Sequence, residues 1–185
     1  MACAMNDLHW KEPGLQYFAI RQGQPEGVPI TLLHIGAEQT LIVSGKDSEP
    51  ESIVTLAIGA QKTAAEHFRH SPPTPGEMEN AIMRVEDEVA RARGEIAENS
   101  ALFTNDPAIR EIARLAGLTE RPVMRFALEQ VEMTFERLMG LSYGRPASGE
   151  GLPTDAAFAA TLLIMREFMH HLKFSSIDVL SPPAT

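Results

Sequence analysis

The sequence predicts a single α/β (α+β) domain built on a mixed sheet, with antiparallel strands first and helices interleaved with short strands after them. Three observations support this prediction. The chain has 185 residues, 44% of them hydrophobic, which matches one domain with its own core. The hydrophobic period is two in the first third of the chain. From Ala60 onward it changes to about 3.6, the period of a helix. The domain is expected to span residues 15–180, between an N-terminal segment (1–14) and a tail (181–185).

Four strands are expected in the first third of the chain, each bounded by glycine, proline or a polar turn. They are residues 15–21, 29–35, 39–44 and 53–58. Only Gly36, Ala37 and Glu38 separate the second strand from the third. The sequence therefore predicts a tight hairpin at this position.

Helical patterns dominate after Ala60. The strongest local signal is Thr74-Pro75-Gly76-Glu77, which has the pattern of a capping box with proline at the first helical position. Helices are expected at residues 60–68, 74–97, 107–115, 123–139 and 154–172. Short strands are expected at residues 101–103 and 176–180.

Charge and cysteine content exclude several classes of function. The chain has 16 Lys and Arg against 25 Asp and Glu, a net charge of −9, and its basic residues are scattered, so no nucleic-acid partner is expected. Cys3 is the only cysteine, which excludes a disulfide framework and indicates a reducing, bacterial-type cytoplasm. The first ten residues lack the pattern of a signal peptide. The most apolar stretch, residues 156–169, contains Arg166 and Glu167 and is too short to span a bilayer, so no membrane partner is expected.

The sequence offers few candidate metal ligands. Glu167 and His170 form Glu-x-x-His on a helix, a spacing used by di-iron bundles, but no second copy of the motif is present. His171 lies beside them, near a helix C-terminus where an imidazolium is favoured. For this group a metal role is therefore the less common explanation. For His67 and His70, which flank the Pro-Pro turn, a solvated helix end is the more common explanation. No Gly-x-Ser-x-Gly nucleophile motif occurs.

Three stretches resemble one protein family. Residues 33–43, LHIGAEQTLIV, resemble a degenerate version of the glycine-rich hairpin of the exopolyphosphatase and guanosine pentaphosphate phosphatase (Ppx/GppA) family. Residues 56–64, LAIGAQKTA, followed by Phe68 and by PPTPGEM, are similar to the next segment of that family. Residues 152–157 and 177–179 are similar to its last helix and strand. The resemblance runs in family order over about residues 29–180. It implies a single actin-like (ribonuclease-H-like) lobe, the one that carries the second phosphate hairpin.

The departures from the family pattern bear on activity. Glycines in the family hairpin let backbone N–H groups approach a phosphate, because glycine has no Cβ. Here Gly36 remains, His34 stands where the family has an aspartate, Ala37 and Glu38 replace two glycines, and Gln39 replaces a serine. A glutamate would place negative charge where an anion is meant to sit.

The rest of the family's phosphate site is also altered. The second glycine-rich turn of the family falls near residues 103–106, which contain no glycine. The first lobe of the family has no counterpart in the sequence. The resemblance therefore implies the fold more strongly than the activity.

Three functional hypotheses remain open. The first is a phosphatase-like single-lobe protein, catalytically weak or inactive, that acts through oligomerisation or a protein partner. The second is a phosphatase or phosphoanhydride hydrolase acting on polyphosphate or a nucleotide. In this hypothesis Gly36, Thr40, Thr104 and Asn105 would bind phosphate and a carboxylate such as Asp106 would hold Mg²⁺. The third is a small-molecule or metal-binding module around Glu167, His170 and His171. No catalytic residue is assigned.

The last long helix predicts self-association. Between Ala156 and Met165 its residues are apolar on nearly every side, and such a helix is expected to be buried on every side. A single lobe with one exposed sheet face offers limited cover for it, although the helix at 123–139 could supply the rest. We expect a homodimer, since a C2 dimer is the commonest closed assembly.

Overall fold

The computed structural model describes residues 6–181 of the chain, and the side chains of residues 14–181. Residues 1–5 and 182–185 lie outside the described part, so the predicted N-terminal segment and tail fall partly beyond it. The strands are β1 Ile30–Ile35, β2 Thr40–Gly45, β3 Ser52–Leu56, β4 Ala101–Thr104, β5 Val123–Ala127 and β6 Ser176–Leu180. The helices are α1 Asn6–Gln22, α2 Ala60–His67, α3 Pro75–Ala90, α4 Pro107–Leu115, α5 Leu128–Ser142, α6 Ala147–Glu150 and α7 Ala156–His171.

The described strands form one six-stranded mixed sheet in the order β3-β2-β1-β4-β6-β5. The first three strands are an antiparallel meander, as their short connections predict. β4 then pairs parallel with β1, and β6 pairs parallel with β4. β5 closes the far edge antiparallel to β6. The predicted fold class, strands first and then helices interleaved with strands, is confirmed.

Helix α7 lies at the centre of the main core. It packs against α2, α3, α4 and α5, and its residues 159–165 are all buried. The apolar residues on every side of this helix are therefore covered within the chain itself. Among the described residues, no helix is long and apolar enough to cross a membrane.

The opposite face of the sheet is covered differently along its width. Over β1 and β2 it is covered by α1, whose Tyr17 and Ile20 are buried against those strands. Over β5 and β6 it carries the ion pair of Arg125 with Asp178, with Nε and Oδ1 at 2.9 Å, beside the exposed side chain of Val123.

The predicted strand at residues 15–21 is wrong, because this segment belongs to α1. Tyr17 and Ile20 are buried, whereas Leu15 is 68% exposed and Phe18 is 46% exposed. Buried positions three residues apart follow the helical period and not the strand period. Aromatic and β-branched residues favour strands on average, and here the packing of α1 on the sheet overrides that preference.

The predicted helix at residues 123–139 is also wrong in its first part, which is strand β5. Val123 is exposed while Met124 and Phe126 are buried, an alternation that β6 imposes by pairing residue for residue with this segment. The change to helix comes at Leu128, where the side chain of Gln130 accepts a hydrogen bond from the Ala127 N–H at 3.1 Å. The apolar residues of this segment are compatible with both periods, so the sequence alone misplaced the boundary.

The predicted capping box at the start of α3 is confirmed. The Glu77 N–H donates to Thr74 Oγ1, and the Glu77 carboxylate accepts from the Thr74 N–H at 2.7 Å. The same carboxylate accepts from the Arg69 N–H and contacts His70. Led by the backbone bond from Thr74, these contacts lower the pKa of Glu77 to about 2. α3 ends at Ala90, earlier than the predicted residue 97, and the chain continues in turns after it.

Candidate functional site

The predicted phosphate site lies where β1 and β4 end side by side. These two strands are parallel neighbours, so the turn after β1 and the loop after β4 meet at the same edge of the sheet. Open α/β sheets place their ligands at the carboxyl ends of the strands. We call this the carboxyl edge; it contains Asp106, the β1–β2 turn (residues 36–39) and the start of α2.

Asp106 joins the ends of the two strands. Its side chain is nearly fully buried. Oδ2 accepts a hydrogen bond from the Ile35 N–H at 2.7 Å, and Oδ1 lies 2.5 Å from His34 Nδ1. The paired residues of β1 and β4 extend only to Leu32 and Phe103. The Asp106 carboxylate therefore continues the connection where the strands diverge.

The β1–β2 turn is closed by its own backbone. The Gly36 N–H donates to the Gln39 carbonyl at 2.9 Å, and the buried Thr40 hydroxyl donates to the Ile58 carbonyl at 2.8 Å. Glu38, the residue expected to repel an anion, points to solvent. The turn is a closed hairpin, and neither donor faces an open pocket.

The turn also caps the N-terminus of α2. The Ala60 N–H donates to the Gly36 carbonyl, and the N–H groups of Gln61 and Lys62 both donate to the Ala37 carbonyl, at 2.9–3.0 Å. Free N–H groups at a helix N-terminus form a ready anion site, but here protein carbonyls occupy them. Gly59 makes this close approach possible, since a Cβ at that position would lie 2.5 Å from the Ala37 carbonyl oxygen.

The remaining predicted phosphate ligands lie at the same edge. Thr104 is fully buried and its hydroxyl accepts from the Asp106 N–H at 3.1 Å, while Asn105 is half-buried beside it. In this arrangement the residues do not fit phosphate with Mg²⁺, because the Gly36, Thr40 and Asp106 groups that would hold them are used in internal hydrogen bonds. Phosphate binding by Gly36, Thr40, Thr104 and Asn105 stays a prediction.

The second group of candidates, on α7, is brought together differently from the prediction. Glu167 Oε2 lies 3.1 Å from His171 Nε2, one turn further along the helix, and not beside His170. His170 instead faces Glu132, with Nδ1 and Oε1 at 3.3 Å. His171 Nε2 also lies 3.2 Å from Glu86 Oε1 on α3.

The histidines near the Pro-Pro turn show no comparable arrangement in the described part of the chain. His70 Nδ1 lies 3.0 Å from Glu77 Oε1 at the exposed start of α3. The exposed position of His70 agrees with the expected solvated helix end. For His67 the expectation is wrong, because this residue is half-buried and its Nε2 is buried without a hydrogen bond from the described residues. Sequence analysis also did not predict the pairing of His34 with Asp106, since the two residues lie 72 positions apart.

The fold is similar to that of several solved structures. The chain is similar to a Ppx/GppA family member from Aquifex aeolicus, with a TM-score of 0.74 and 16% identity over 92% of this chain and 58% of that one. Another structure of an Aquifex aeolicus Ppx-GppA enzyme gives a TM-score of 0.72 at 17% identity, covering 89% and 57% of the two chains. An exopolyphosphatase from Cytophaga hutchinsonii gives 0.61 at 13% identity, covering 89% and 57%.

These similarities confirm the predicted fold, one actin-like, ribonuclease-H-like lobe of the Ppx/GppA type. The chain spans a little under three fifths of the length of the structures it matches. No protein-family model and no curated protein matches the sequence.

Proposed function

We propose that this protein is a phosphatase-like lobe that does not hydrolyse phosphoanhydrides and that acts by binding protein, either a second copy of itself or another chain. The observation that carries the proposal is the closed β1–β2 turn on the N-terminus of α2. Phosphate sites present backbone N–H groups to the anion. Here the Gly36 and Ala37 carbonyls occupy the helix N–H groups, and the Gly36 N–H is bonded within the turn.

The carboxylate at this edge has a structural task that accounts for its burial. Asp106 accepts from the Ile35 N–H and contacts His34, and an unpaired buried N–H would be costly. The carboxylate is thereby explained without a metal ion or a reacting substrate.

The test is phosphate release by the full chain from polyphosphate, guanosine pentaphosphate and a generic phosphatase substrate, with Mg²⁺ present. Wild type and an Asp106→Asn variant are compared, with circular dichroism to verify that both are folded. We expect equal, background-level release from both. Release by the wild type that the folded variant loses would overturn the proposal.

A phosphoanhydride hydrolase is the second candidate, and one observation favours it. His34 and Asp106 form an imidazole–carboxylate pair at the carboxyl ends of β1 and β4, where α/β folds bind ligands. This function requires the β1–β2 turn to leave α2, so that Gly36 and Thr40 become available. Turnover abolished by Gly36→Val in a folded variant would favour it over our first proposal.

A contact between two copies of the chain is the simplest form of protein binding. The apolar residues of α7 give no reason for it, because they are buried within the chain. The exposed apolar side chains that remain include Ile53 on β3 and Val123 on β5, the two edge strands of the sheet. Edge strands offer unpaired backbone groups to a second chain. We propose a homodimer joined along an edge, and sedimentation at micromolar concentration tests it. A 20.3 kDa monomer would leave only a heterologous partner.

A further inference from the structure

We propose that Glu86, Glu167 and His171 bind a divalent transition-metal ion of the Zn²⁺ type, at the edge of the sheet opposite to the carboxyl edge. Glu167 and His171 lie one turn apart on α7, and Glu86 comes from the neighbouring helix α3. One ligand atom from each lies within 4.8 Å of the others. We call these three residues the Glu–Glu–His cluster.

The distances around His171 resemble those of a ligand set. His171 Nε2 lies 3.1 Å from Glu167 Oε2 and 3.2 Å from Glu86 Oε1. Ligand atoms bound to four-coordinate Zn²⁺ at about 2.0–2.2 Å stand about 3.3–3.6 Å apart. Only small movements are needed to place an ion between them, and Glu86 has the freedom to make them because its side chain is 42% exposed.

The strongest indication is the buried oxygen of Glu167. This residue is completely buried, yet its Oε2 accepts no hydrogen bond from any residue that the structure describes. Buried polar atoms are nearly always hydrogen-bonded, and each exception needs an explanation. The atom is directed at His171 and Glu86, so an ion bound by all three would satisfy it.

Arg166 occupies one carboxylate oxygen of Glu167 and leaves the other free to bind a metal ion. Arg166 Nη1 contacts Oε1 at 2.5 Å, and Arg166 Nε is held by Glu132 at 2.9 Å. An outer partner of this kind orients a carboxylate and leaves its other oxygen for the metal. Two carboxylates and a neutral imidazole carry a charge of about −2, which matches a divalent ion.

An entry route is present beside the cluster. His171 lines a cleft of about 470 Å³ formed by residues 93 and 96–100, before β4, and by residues 171–174, before β6. Solvent in this cleft reaches the imidazole, so water could complete the coordination sphere. The mixed nitrogen and oxygen ligands favour a first-row transition ion over Mg²⁺ or Ca²⁺, which prefer oxygen alone.

The test is titration of the full chain with Zn²⁺ by calorimetry, and with Co²⁺ by visible absorption. We expect one equivalent of Zn²⁺ to bind saturably and to raise the Tm, since an ion that binds only the folded state stabilises it. His171→Gln and Glu86→Gln should each weaken the affinity about tenfold or more, because loss of an outer partner alone costs about 10–100-fold. Both residues are partly exposed, so both variants should fold.

The matched controls are His170→Gln, beside His171, and Glu79→Gln, an exposed residue on α3. Neither should change the affinity. Absence of saturable binding by the wild type would overturn the proposal and leave His171 as a hydrogen-bonding neighbour of the two carboxylates. Equal losses in the controls, or unchanged affinity in His171→Gln, would place any bound metal elsewhere and overturn it as well.

Discussion

The carboxyl edge of the sheet and the opposite edge, where the parallel strands begin, differ in how their buried polar groups are hydrogen-bonded. At the carboxyl edge, both Asp106 oxygens, the Thr40 hydroxyl and the first N–H groups of α2 all have partners within the chain. At the opposite edge, Glu167 Oε2 is buried and accepts no hydrogen bond from the described residues. The groups that would bind a ligand at the carboxyl ends of the strands are thus hydrogen-bonded within the chain, although the nearby Thr63 hydroxyl makes no hydrogen bond with a described residue. At the opposite edge, the group without such a bond is a buried carboxylate oxygen.

This difference shows that position in a fold does not by itself locate a site. The lobe has the fold of Ppx/GppA structures, but the backbone donors of its carboxyl edge are hydrogen-bonded within the chain. A ligand gains most where a buried polar atom still lacks a hydrogen bond, because folding has already removed that atom from water.

The largest expected effect is a loss of stability when the packing of the closed β1–β2 turn on α2 is disrupted. Gly59→Ala places a Cβ 2.5 Å from the Ala37 carbonyl oxygen and 2.6 Å from the Gln39 N. Both are backbone atoms, so the turn must move away from α2, and we expect a loss of about 3 kcal/mol in the free energy of unfolding. Urea denaturation measures it.

Gly76→Ala is the matched control, because a Cβ there meets nothing within 4 Å and the residue lies inside α3. It should leave the stability unchanged or raise it by about 0.4–1 kcal/mol. Equal stability of the Gly59→Ala and Gly76→Ala proteins would mean that the turn is not closed onto α2.

The next effect tests whether Asp106 is a structural acceptor. Asp106→Ala leaves the buried Ile35 N–H without its partner, and we expect a loss of about 2 kcal/mol. Asp106→Asn keeps an oxygen that can accept from Ile35 and should recover part of the loss. Thermal and urea denaturation of both variants measure these losses in the free energy of unfolding. If alanine and asparagine destabilise equally, the Ile35 bond is not what Asp106 contributes.

A third, smaller effect concerns Glu88, a buried carboxylate of α3 whose oxygens all have partners. It accepts from the Ala57 N–H at 2.9 Å and pairs with Arg84 and Arg91. Burial opposes ionisation, but the Ala57 bond and the two arginines outweigh it and lower the pKa of Glu88. Glu88→Ala should cost about 1 kcal/mol, measured by urea denaturation at neutral pH.

Glu79→Ala, on the exposed side of the same helix, should have little effect on the urea midpoint. Because the folded pKa of Glu88 is lowered, its contribution is present above the unfolded pKa and is lost as the pH falls through the folded value. A Glu88→Ala protein as stable as Glu79→Ala would show that these partners add nothing to stability.

The smallest effect is the pH dependence of the capping box. The pKa of Glu77 falls from 4.5 to about 2 on folding, so its contribution is complete above 4.5 and disappears as the pH decreases toward 2. Glu77→Gln should make the urea midpoint less dependent on pH in that interval. Glu79→Gln, two residues along α3, should not. A slope unchanged by Glu77→Gln would contradict the assigned contacts.

Local sequence was enough to specify the features that depend on residues close together in the chain. The capping box of α3 involves residues three positions apart, and the β1–β2 hairpin follows from a short turn between two apolar runs. Their hydrogen bonds form within a few residues, so the local pattern specifies them. The order of strands and helices, with the resemblance to the Ppx/GppA hairpin, was enough to predict the lobe.

Contacts between distant segments fixed the remaining features: the secondary structure of two segments and the side-chain pairs at both ends of the sheet. Residues 15–21 became helix and residues 123–127 became strand because of what they pack against, since their apolar spacing fits either period. His34 meets Asp106 only because β1 and β4 are neighbours, and Glu86 meets His171 only because α3 packs on α7. Whether the hairpin donors face a ligand or the protein was settled by the docking of the turn on α2, a long-range contact that local sequence does not encode.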